Sequence, residues 1–214
     1  MADFDPTLYV ITDAEEADEA VLLTRLEGAL AGGATLAQLR DKYRGDGALL
    51  RLARRAKTLC ASYGVPLIID DRVDVALAAG ADGVHVGPED LPVAEARRLM
   101  GPGKIVGATA KTVAAARAAE GDGADYLGVG AIYPTATKVR TVITEVAVLQ
   151  DICRAVRIPA LAIGGLRADN LGILAGSGAA GVCVVTAVMR ADRPAAAAAD
   201  ILRAFQNLPG NRTA

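Results

Sequence analysis

The chain has 214 residues, of which 52% are hydrophobic and 3% aromatic, and its formal net charge is −2. This length suits a single domain, and the hydrophobic fraction excludes a disordered chain. We therefore expect one domain over residues 1–214, with its first and last few residues flexible. The near balance of 23 basic and 25 acidic residues disfavours binding to nucleic acid or to a membrane surface.

The sequence predicts neither a targeting signal nor a catalytic or metal-binding cysteine. No apolar run approaches the roughly 20 residues that cross a bilayer. The first basic residue, Arg25, follows several acidic ones, which is unlike a signal or transit peptide, so a cytoplasmic protein is predicted. Cys60, Cys153 and Cys183 lie far apart among apolar residues without metal-ligand spacing, and we expect them to be reduced core thiols.

Eight short apolar segments of strand length follow one another along the chain, each bounded by Gly, Pro or Asp. They are Leu8–Thr12, Leu36–Leu39, Pro66–Ile69, Gly83–Val86, Lys104–Gly107, Tyr126–Val129, Ala160–Ile163 and Gly181–Val185. Segments with helical periodicity separate them. Asp13 followed by Glu16 predicts a capping box that opens the first helix, and an Ala-rich last helix is predicted over Pro194–Phe205.

Internal repetition supports a fold made of equivalent units. The segment Gly80–Gly87 recurs loosely as Gly123–Gly130 and as Gly178–Val185. About eight strand–helix units in one domain predict an α/β fold, a single-domain (β/α)8 TIM barrel. The alternative is an open doubly wound sheet, which would normally carry a Gly-rich phosphate loop after its first strand. The acidic segment Thr12–Glu16 stands there instead.

In such a barrel the active site forms at the C-terminal ends of the strands, and polar residues follow most of the predicted strands. Arg40, Lys42 and Lys138 form a cationic group on different loops, which suits the charge of a diphosphate. Asp71 and Asp90 are carboxylates that could hold Mg²⁺ together with phosphate oxygens and water. Surface ion pairs for the cations, and turn capping or pairing with Arg72 for the carboxylates, are the structural alternatives.

A second phosphate site is predicted where the last two strands end. Gly164-Gly165 and Val185-Thr186 would expose backbone N–H groups there, although the two glycines could equally serve only a tight turn. The single histidine, His85, lies inside an alternating strand, which favours a buried, hydrogen-bonded core residue over a catalytic one. Two phosphate sites and a metal without proton-transfer groups suit displacement of diphosphate by a second, phosphorylated substrate.

Several motifs resemble the thiamine phosphate synthase family over nearly the whole chain. They are Gln38-Leu-Arg-Asp-Lys42, Asp71–Leu77, Gly80–Gly87, Glu89–Pro92, Gly123–Gly130, Pro134-Thr-Ala-Thr-Lys138 and Ala162–Gly165. The resemblance implies a transferase of thiamine biosynthesis. It would join hydroxymethylpyrimidine diphosphate to hydroxyethylthiazole phosphate, with Mg²⁺ as cofactor, and release diphosphate and thiamine phosphate. Its partners would be these small molecules, and a homo-oligomer is compatible with the sequence.

The resemblance also implies a role for each matching site residue. The pyrimidine diphosphate would be bound by Gln38, Arg40, Lys42, Asp70, Thr109 and Lys138, of which Arg40, Lys42 and Lys138 would act in catalysis by stabilising the leaving group. The thiazole phosphate would be bound by Thr135, Ala136, Thr137, Gly165, Val185 and Thr186. The metal would be held by Asp71 and Asp90.

The chain departs from the family pattern at Asp70, Pro88, Ala131 and Lys111, where Asn, Gln, Pro and His are usual. An ionised Asp70 would repel a diphosphate unless Arg72, Arg40 or Mg²⁺ intervened, in which case Asp70 could serve as a further metal ligand. The alternative functions are a thiazole tautomerase-like isomerase, a sugar-phosphate isomerase or epimerase, and a non-catalytic phosphate-binding barrel. Arg40, Lys42 and Asp90 together favour the synthase.

Overall fold

The computed structural model of the chain describes residues 3–13, 18–134 and 143–210, and it is a closed barrel of eight parallel strands. Each strand pairs with its neighbours in chain order, and the first strand pairs with the eighth. The (β/α)8 barrel predicted from the sequence is confirmed, and the open doubly wound sheet is excluded. The expected flexibility of the chain ends concerns residues that partly lie outside the described ranges.

The strands are short and lie within one or two residues of their predicted positions. They are β1 (Leu8–Ile11), β2 (Leu36–Leu39), β3 (Leu67–Asp70), β4 (Gly83–Val86), β5 (Ile105–Thr109), β6 (Tyr126–Gly130), β7 (Ala160–Ile163) and β8 (Gly181–Val184). Because β3 and β5 extend further than expected, Asp70 and Thr109 belong to the strands themselves rather than to the loops that follow.

Eight α-helices lie within the described residues. They are α1 (Glu19–Ala31), α2 (Asp46–Ser62), α3 (Val73–Ala79), α4 (Val93–Met100), α5 (Val113–Gly121), α6 (Val146–Ala155), α7 (Thr186–Met189) and α8 (Pro194–Gln206). Only a 3-10 helix, Leu171–Leu174, stands between β7 and β8. The last helix begins at Pro194, as predicted.

The predicted start of the first helix is wrong. Helix α1 begins at Glu19, and its N-cap is Asp18, whose carboxylate accepts a hydrogen bond from the backbone N–H of Ala20. Asp13 is instead buried and ion-paired with Arg190, which follows α7. Asp13 and Asp18 both precede a segment with helical periodicity, so the capping pattern alone does not distinguish them. The ion pair with Arg190 shows that Asp13 packs against the barrel and does not cap the helix.

The strands alternate between two apolar environments. The outward side chains pack against the helices in the larger core, which is rich in Ala, Val and Leu. The inward side chains fill the barrel itself with a smaller cluster: Tyr9, Ile11, Leu36, Ile68, Ile105, Tyr126, Leu161 and Cys183. Since side chains alternate along a strand, Gln38, Asp70, His85 and Thr109 share this inward face nearer the C-terminal ends.

The repeated Gly-Ala-Asp segments have a common structural task at the opposite end of the barrel. Asp82 accepts a hydrogen bond from the backbone N–H of Leu67 at the start of β3. Asp125 accepts the equivalent bond from Val106 in β5 and is ion-paired with Arg97. In the third copy Ala180 stands in place of the aspartate and keeps only the backbone bond to Ala160. The aspartates of these repeats therefore join neighbouring strands.

No described helix is long and apolar enough to cross a membrane. None of the three cysteines forms a disulfide, and Cys60 and Cys183 are buried as expected, while Cys153 is half-buried. Burial raises the pKa of the Cys60 thiol to about 12 and also raises the pKa of Cys183. Both thiols therefore stay protonated near neutral pH, which fits core residues and not nucleophiles.

Candidate active site

Two basic and two acidic side chains meet where the neighbouring strands β2 and β3 end. The Nε atom of Arg40 lies 3.5 Å from an Oδ atom of Asp70. The Nζ atom of Lys42 lies 3.3 Å from the same oxygen and is also ion-paired with Asp71. The structure thus brings together four predicted site residues, with each cation opposite a carboxylate.

The loop that carries these two cations is held by residues that the sequence analysis did not select. Asp41 is buried, accepts hydrogen bonds from the backbone N–H groups of Tyr43 and Arg44, and is ion-paired with the Arg44 guanidinium. The buried hydroxyl of Thr12, just after β1, accepts a hydrogen bond from the backbone N–H of Arg40 at 2.9 Å. Arg40 and Lys42 therefore project from a fixed turn.

Burial and hydrogen bonding act in opposite directions on Asp41. Burial alone would raise the pKa of this carboxyl, since it penalises the charged form. The N–H groups of Arg44 and Tyr43 and the charge of Arg44 outweigh that effect, so the pKa of Asp41 is lowered from its ordinary value. Asp41 therefore remains ionised wherever the loop is folded at neutral pH.

The remaining aspartates of this rim have local partners. The guanidinium of Arg72 is bound by Asp46 and Asp74 and not by the carboxylate of Asp70, although the backbone N–H of Arg72 donates to the Asp70 carbonyl at 2.7 Å. Asp71 takes a left-handed backbone conformation, with φ of 58°, and its N–H donates to the carbonyl of His85. The carboxylate of Asp90 accepts a hydrogen bond from the backbone N–H of Gly87 at 2.7 Å, which closes the turn after β4.

These contacts bear on the predicted metal site. In the ranges that the structure describes, no group of three or more His, Cys, Asp or Glu side chains is arranged to hold a metal ion. The predicted ligands, Asp71 and Asp90, follow the neighbouring strands β3 and β4. Two carboxylates at one edge are a donor set that Mg²⁺ accepts when phosphate oxygens and water complete its shell.

A chain of polar side chains crosses the interior of the barrel below this rim. The amide nitrogen of Gln38 donates to the hydroxyl of Tyr9 at 2.7 Å, and that hydroxyl lies 2.8 Å from the hydroxyl of Tyr126. His85 lies between Tyr126 and Thr109, with its ring nitrogens 3.1 and 3.0 Å from their hydroxyl oxygens. The hydrogen bonds predicted for His85 are confirmed, but the residue is half-buried rather than buried, and it faces the barrel interior.

The ends of β7 and β8 lie side by side and carry the residues predicted to bind a phosphomonoester. Gly164 and Gly165 both have positive φ, at 105° and 65°. A Cβ atom on Gly165 would lie 2.7 Å from the Cβ of Tyr133, so glycine is also required for packing. The side chain of Asn170 donates to the Gly165 carbonyl and thereby fixes this turn.

Val185 precedes the short helix α7, and Thr186 begins it with an exposed side chain. Among the described residues, the backbone N–H groups of Gly165 and Thr186 have no hydrogen-bond acceptor. Such N–H groups at adjacent strand ends suit an oxyanion. The other residues predicted for the two substrates, Thr135, Ala136, Thr137 and Lys138, lie outside the described residues.

Comparison with known proteins identifies the family. Residues 8–188 match the family described as thiamine monophosphate synthase. The chain belongs to this family. It is 45% identical over 201 residues to thiamine-phosphate synthase 2 of Streptococcus pneumoniae, which covers 94% of this chain and 96% of that protein. It is 46% identical over 186 residues to thiamine-phosphate synthase of Enterococcus faecalis, covering 87% of this chain and 88% of the relative.

Solved structures agree with this family membership. Thiamine phosphate pyrophosphorylase from Pyrococcus furiosus superimposes with a TM-score of 0.86 at 35% identity, over 95% of this chain and 97% of that one. A 3-hexulose-6-phosphate synthase superimposes with a TM-score of 0.67 at 18% identity, over 91% of this chain and 98% of that one. At that low identity the second likeness shows the fold alone.

The family motifs contain most of the site, but the structure adds residues that motif matching did not select. For Tyr9 and Tyr126 the sequence offers one indication of a polar role, because each bears a hydroxyl within an otherwise apolar strand. Asp41 stands inside the Gln38–Lys42 motif, but a loop aspartate is usually a turn residue, so the motif does not mark it as part of the site. Asn170 gave no usable signal, because its contact with Gly165 depends on a turn conformation.

Proposed function

We propose that this protein catalyses the reaction that gives its relatives their names. It would join hydroxymethylpyrimidine diphosphate to hydroxyethylthiazole phosphate and produce thiamine phosphate and diphosphate. One observation carries the proposal beyond family membership: Arg40 and Lys42 lie together at the ends of β2 and β3, within reach of one carboxylate oxygen. Two cations that converge on one oxygen of Asp70 can converge in the same way on a diphosphate oxygen.

The carboxylate of Asp70 shapes this cationic group. It is ion-paired with Arg40 and Lys42, so its charge is balanced within the protein before any substrate binds. A diphosphate carries more negative charge than one carboxylate and would draw both cations away from Asp70. Lys42 is suited to such a change, because its side chain is 45% exposed and can move.

We assign the metal site to Asp71 and Asp90. Their donor set fits Mg²⁺, as two carboxylates leave several coordination positions for phosphate oxygens and water. Asp71 is ion-paired with Lys42, which shows that its carboxylate can face a cation. When bound, Mg²⁺ would supply positive charge to the leaving diphosphate.

The chemistry needs charge stabilisation more than proton transfer. The bond between the pyrimidine methylene carbon and the diphosphate oxygen breaks, and its electron pair leaves with the diphosphate. The aminopyrimidine ring can stabilise positive charge on the methylene carbon, so departure can run ahead of attack. The lone pair of the thiazole nitrogen then forms the new carbon–nitrogen bond without a protein base. Arg40, Lys42 and Lys138 would stabilise the leaving group.

The second substrate would be held by its phosphate at the ends of β7 and β8. Gly165, Val185 and Thr186 would offer backbone N–H groups to the phosphate oxygens. Thr135, Ala136 and Thr137, which follow β6 in the sequence, would also bind this phosphate. Gln38, Asp70 and Thr109 would line the pyrimidine pocket from inside the barrel.

The test is a two-substrate assay on the purified protein with Mg²⁺. Thiamine phosphate and diphosphate should form in equal amounts only when both substrates are present. Lys42→Met should lower kcat by about a hundredfold, whereas Lys42→Arg, which keeps the charge, should retain much of the activity. Isomerisation of a thiazole substrate without diphosphate release would instead support the tautomerase, and binding without turnover would support a non-catalytic barrel.

A further inference from the structure

The polar chain inside the barrel joins two residues of the proposed pyrimidine pocket that sit on different strands. Gln38 is in β2 and Thr109 is in β5, and Tyr9, Tyr126 and His85 connect them. Each of the four links is between 2.7 and 3.1 Å long. A continuous chain of this kind has one direction, since each hydroxyl has a single proton to donate.

The direction follows from the Gln38 end. Gln38 donates to Tyr9 through its amide nitrogen, so the hydroxyl of Tyr9 must donate its own proton elsewhere. Tyr9 is only 1% exposed, and among the described residues Tyr126 is the remaining partner within reach. Tyr126 is fully buried, and once it accepts from Tyr9 its proton is directed to Nδ1 of His85.

The far end of the chain is fixed as a consequence. A histidine that accepts at Nδ1 carries its proton on Nε2, which here faces the hydroxyl of Thr109 at 3.0 Å. Thr109 accepts that hydrogen bond and keeps its own proton free to donate to a ligand. At the near end, Oε1 of Gln38 accepts no hydrogen bond from any described residue, although the side chain is only 2% exposed.

The surrounding strands are built to hold these rings. A Cβ atom on Gly107 would lie 2.1 Å from Cζ of Tyr126, so only glycine leaves room for that ring in β5. Gly128 lies beside the imidazole, and a Cβ atom there would be in van der Waals contact with Cε1 of His85 at 3.4 Å. Burial raises the pKa of Tyr9 and of Tyr126 well above the ordinary value, which keeps both hydroxyls protonated.

We infer that Tyr9, Tyr126 and His85 are positioning residues that make Thr109 a hydrogen-bond donor and Gln38 a hydrogen-bond acceptor towards the pyrimidine. This inference rests on the proposed function for the identity of the ligand. An aminopyrimidine presents a complementary pattern, since its ring nitrogens only accept and its amino group donates. This series of hydrogen bonds thereby favours an aminopyrimidine over a ring whose donors and acceptors are interchanged.

The first test measures the direction of the chain without any substrate. His85 is the only histidine, so ¹⁵N NMR of tag-free protein reports on a single imidazole. We expect the Nε2–H tautomer in the wild type and a mixture of tautomers in Tyr126→Phe, which lacks the donor to Nδ1. A wild-type Nδ1–H tautomer would mean that the chain runs in the reverse direction and would overturn the inference, whether or not the protein is a synthase.

The second test measures the effect on substrate binding. In Tyr126→Phe, KM for the pyrimidine diphosphate should rise about tenfold while KM for the thiazole phosphate stays within about twofold. Tyr9→Phe provides a second variant that interrupts the chain if Tyr126→Phe does not fold. Tyr63→Phe, on an exposed tyrosine of the outer surface, is the matched control and should change neither constant.

The outcomes separate this inference from the proposed function. An active wild type in which both chain variants keep the wild-type KM for the pyrimidine diphosphate would refute the positioning role and leave the synthase proposal standing. An equal rise of both KM values would likewise refute it, because it would indicate general loss of structure. If the wild type forms no thiamine phosphate, the proposed function is refuted. The tautomer of His85 can still be measured in that case and still tests the direction of the hydrogen bonds.

Discussion

Three aspartates at the rim differ in behaviour because their surroundings differ. Asp41 is buried among N–H donors, Asp70 faces two cations, and Asp90 closes a turn through the N–H of Gly87. Of these three, the sequence predicts roles for Asp70 and Asp90. The structure adds Asp41, whose carboxylate holds the turn from which Arg40 and Lys42 project.

Replacing Asp41 by Asn should lower the free energy of unfolding by about 2 kcal/mol at neutral pH, because the charge-assisted bonds to Arg44 are lost. The pKa of Asp41 is lowered in the folded state. Its contribution is therefore present above the pKa of the unfolded chain and is lost as the pH falls through the folded value. Urea unfolding of both proteins from neutral to acidic pH should show the difference shrinking in acid.

The matched control for Asp41 is Asp200→Asn, since Asp200 is exposed and paired with Arg203 one helical turn away. Such a surface pair contributes little to stability, so the free energy of unfolding should change by no more than about 0.5 kcal/mol. An equal effect of the two substitutions at every pH would contradict the assignment of Asp41 as the residue that holds the turn.

Neutralising Asp70 should strengthen substrate binding. In Asp70→Asn the side chains of Arg40 and Lys42 lose a competing carboxylate, so KM for the pyrimidine diphosphate should fall by about three- to fivefold. The Mg²⁺ concentration that gives half-maximal activity should not change. Steady-state kinetics with Mg²⁺ varied at saturating substrates checks both points. A clear rise in the Mg²⁺ requirement would show instead that Asp70 is a metal ligand.

Short elements set the geometry at the ends of β7 and β8. Gly165 lies too close to Tyr133 to accept any side chain, and its φ of 65° disfavours one as well. A substitution there would disturb the turn before it could report on phosphate binding. Thr186, at the start of α7, is exposed and can be changed without a clash. It is the better position at which to test this part of the site.

Thr186→Asp should raise KM for the thiazole phosphate by at least tenfold, because the carboxylate would repel the phosphate. The pyrimidine diphosphate should bind as before. The fold should not suffer, since an acidic residue in the first turn of a helix is favourable. Thr186→Asn introduces a side chain of the same size as aspartate but without its charge, and it serves as the control. Equal KM values for the aspartate and asparagine variants would place the phosphate elsewhere.

At the scale of the whole molecule, the contacts of Arg97 lie at the end of the barrel opposite to the proposed active site. Arg97 of α4 donates to the carbonyls of Gly101, Lys104 and Gly123 and is ion-paired with the buried Asp125 before β6. This one side chain therefore connects α4 to the N-terminal ends of β5 and β6. None of its contacts involves the rim that carries Arg40 and Lys42.

Arg97→Ala should therefore lower the free energy of unfolding by about 3 kcal/mol, since Asp125 would lose its charge partner. Below the new Tm, kcat and both KM values should remain those of the wild type. Arg98→Ala is the neighbouring control, because Arg98 is exposed and, among the residues that the structure describes, is paired only with Glu95 one turn away. Thermal unfolding and steady-state assays on the three proteins check this. A fall of kcat in the folded Arg97 variant would show that the two ends are coupled.

The sequence by itself determined the barrel and much of its rim. Eight buried strands separated by helices admit few topologies, and turn residues locate the strand ends to within one or two residues. The motif Gln38–Lys42 and the residues Asp70 and Asp71 were therefore predicted to lie near one another, and the structure brings them together. Local pattern suffices here because adjacent parallel strands end at the same edge.

Only the tertiary structure decided which partners these residues have. The pairing of Asp13 with Arg190 joins positions 177 residues apart, and the hydroxyls of Tyr9 and Tyr126 meet across 117 residues. No local pattern encodes such contacts, because barrel closure and the stagger of the strands set which inward side chains share a layer. The same closure turned Asp13 from a predicted helix cap into a buried ion-pair partner and linked His85 to the pocket through Thr109.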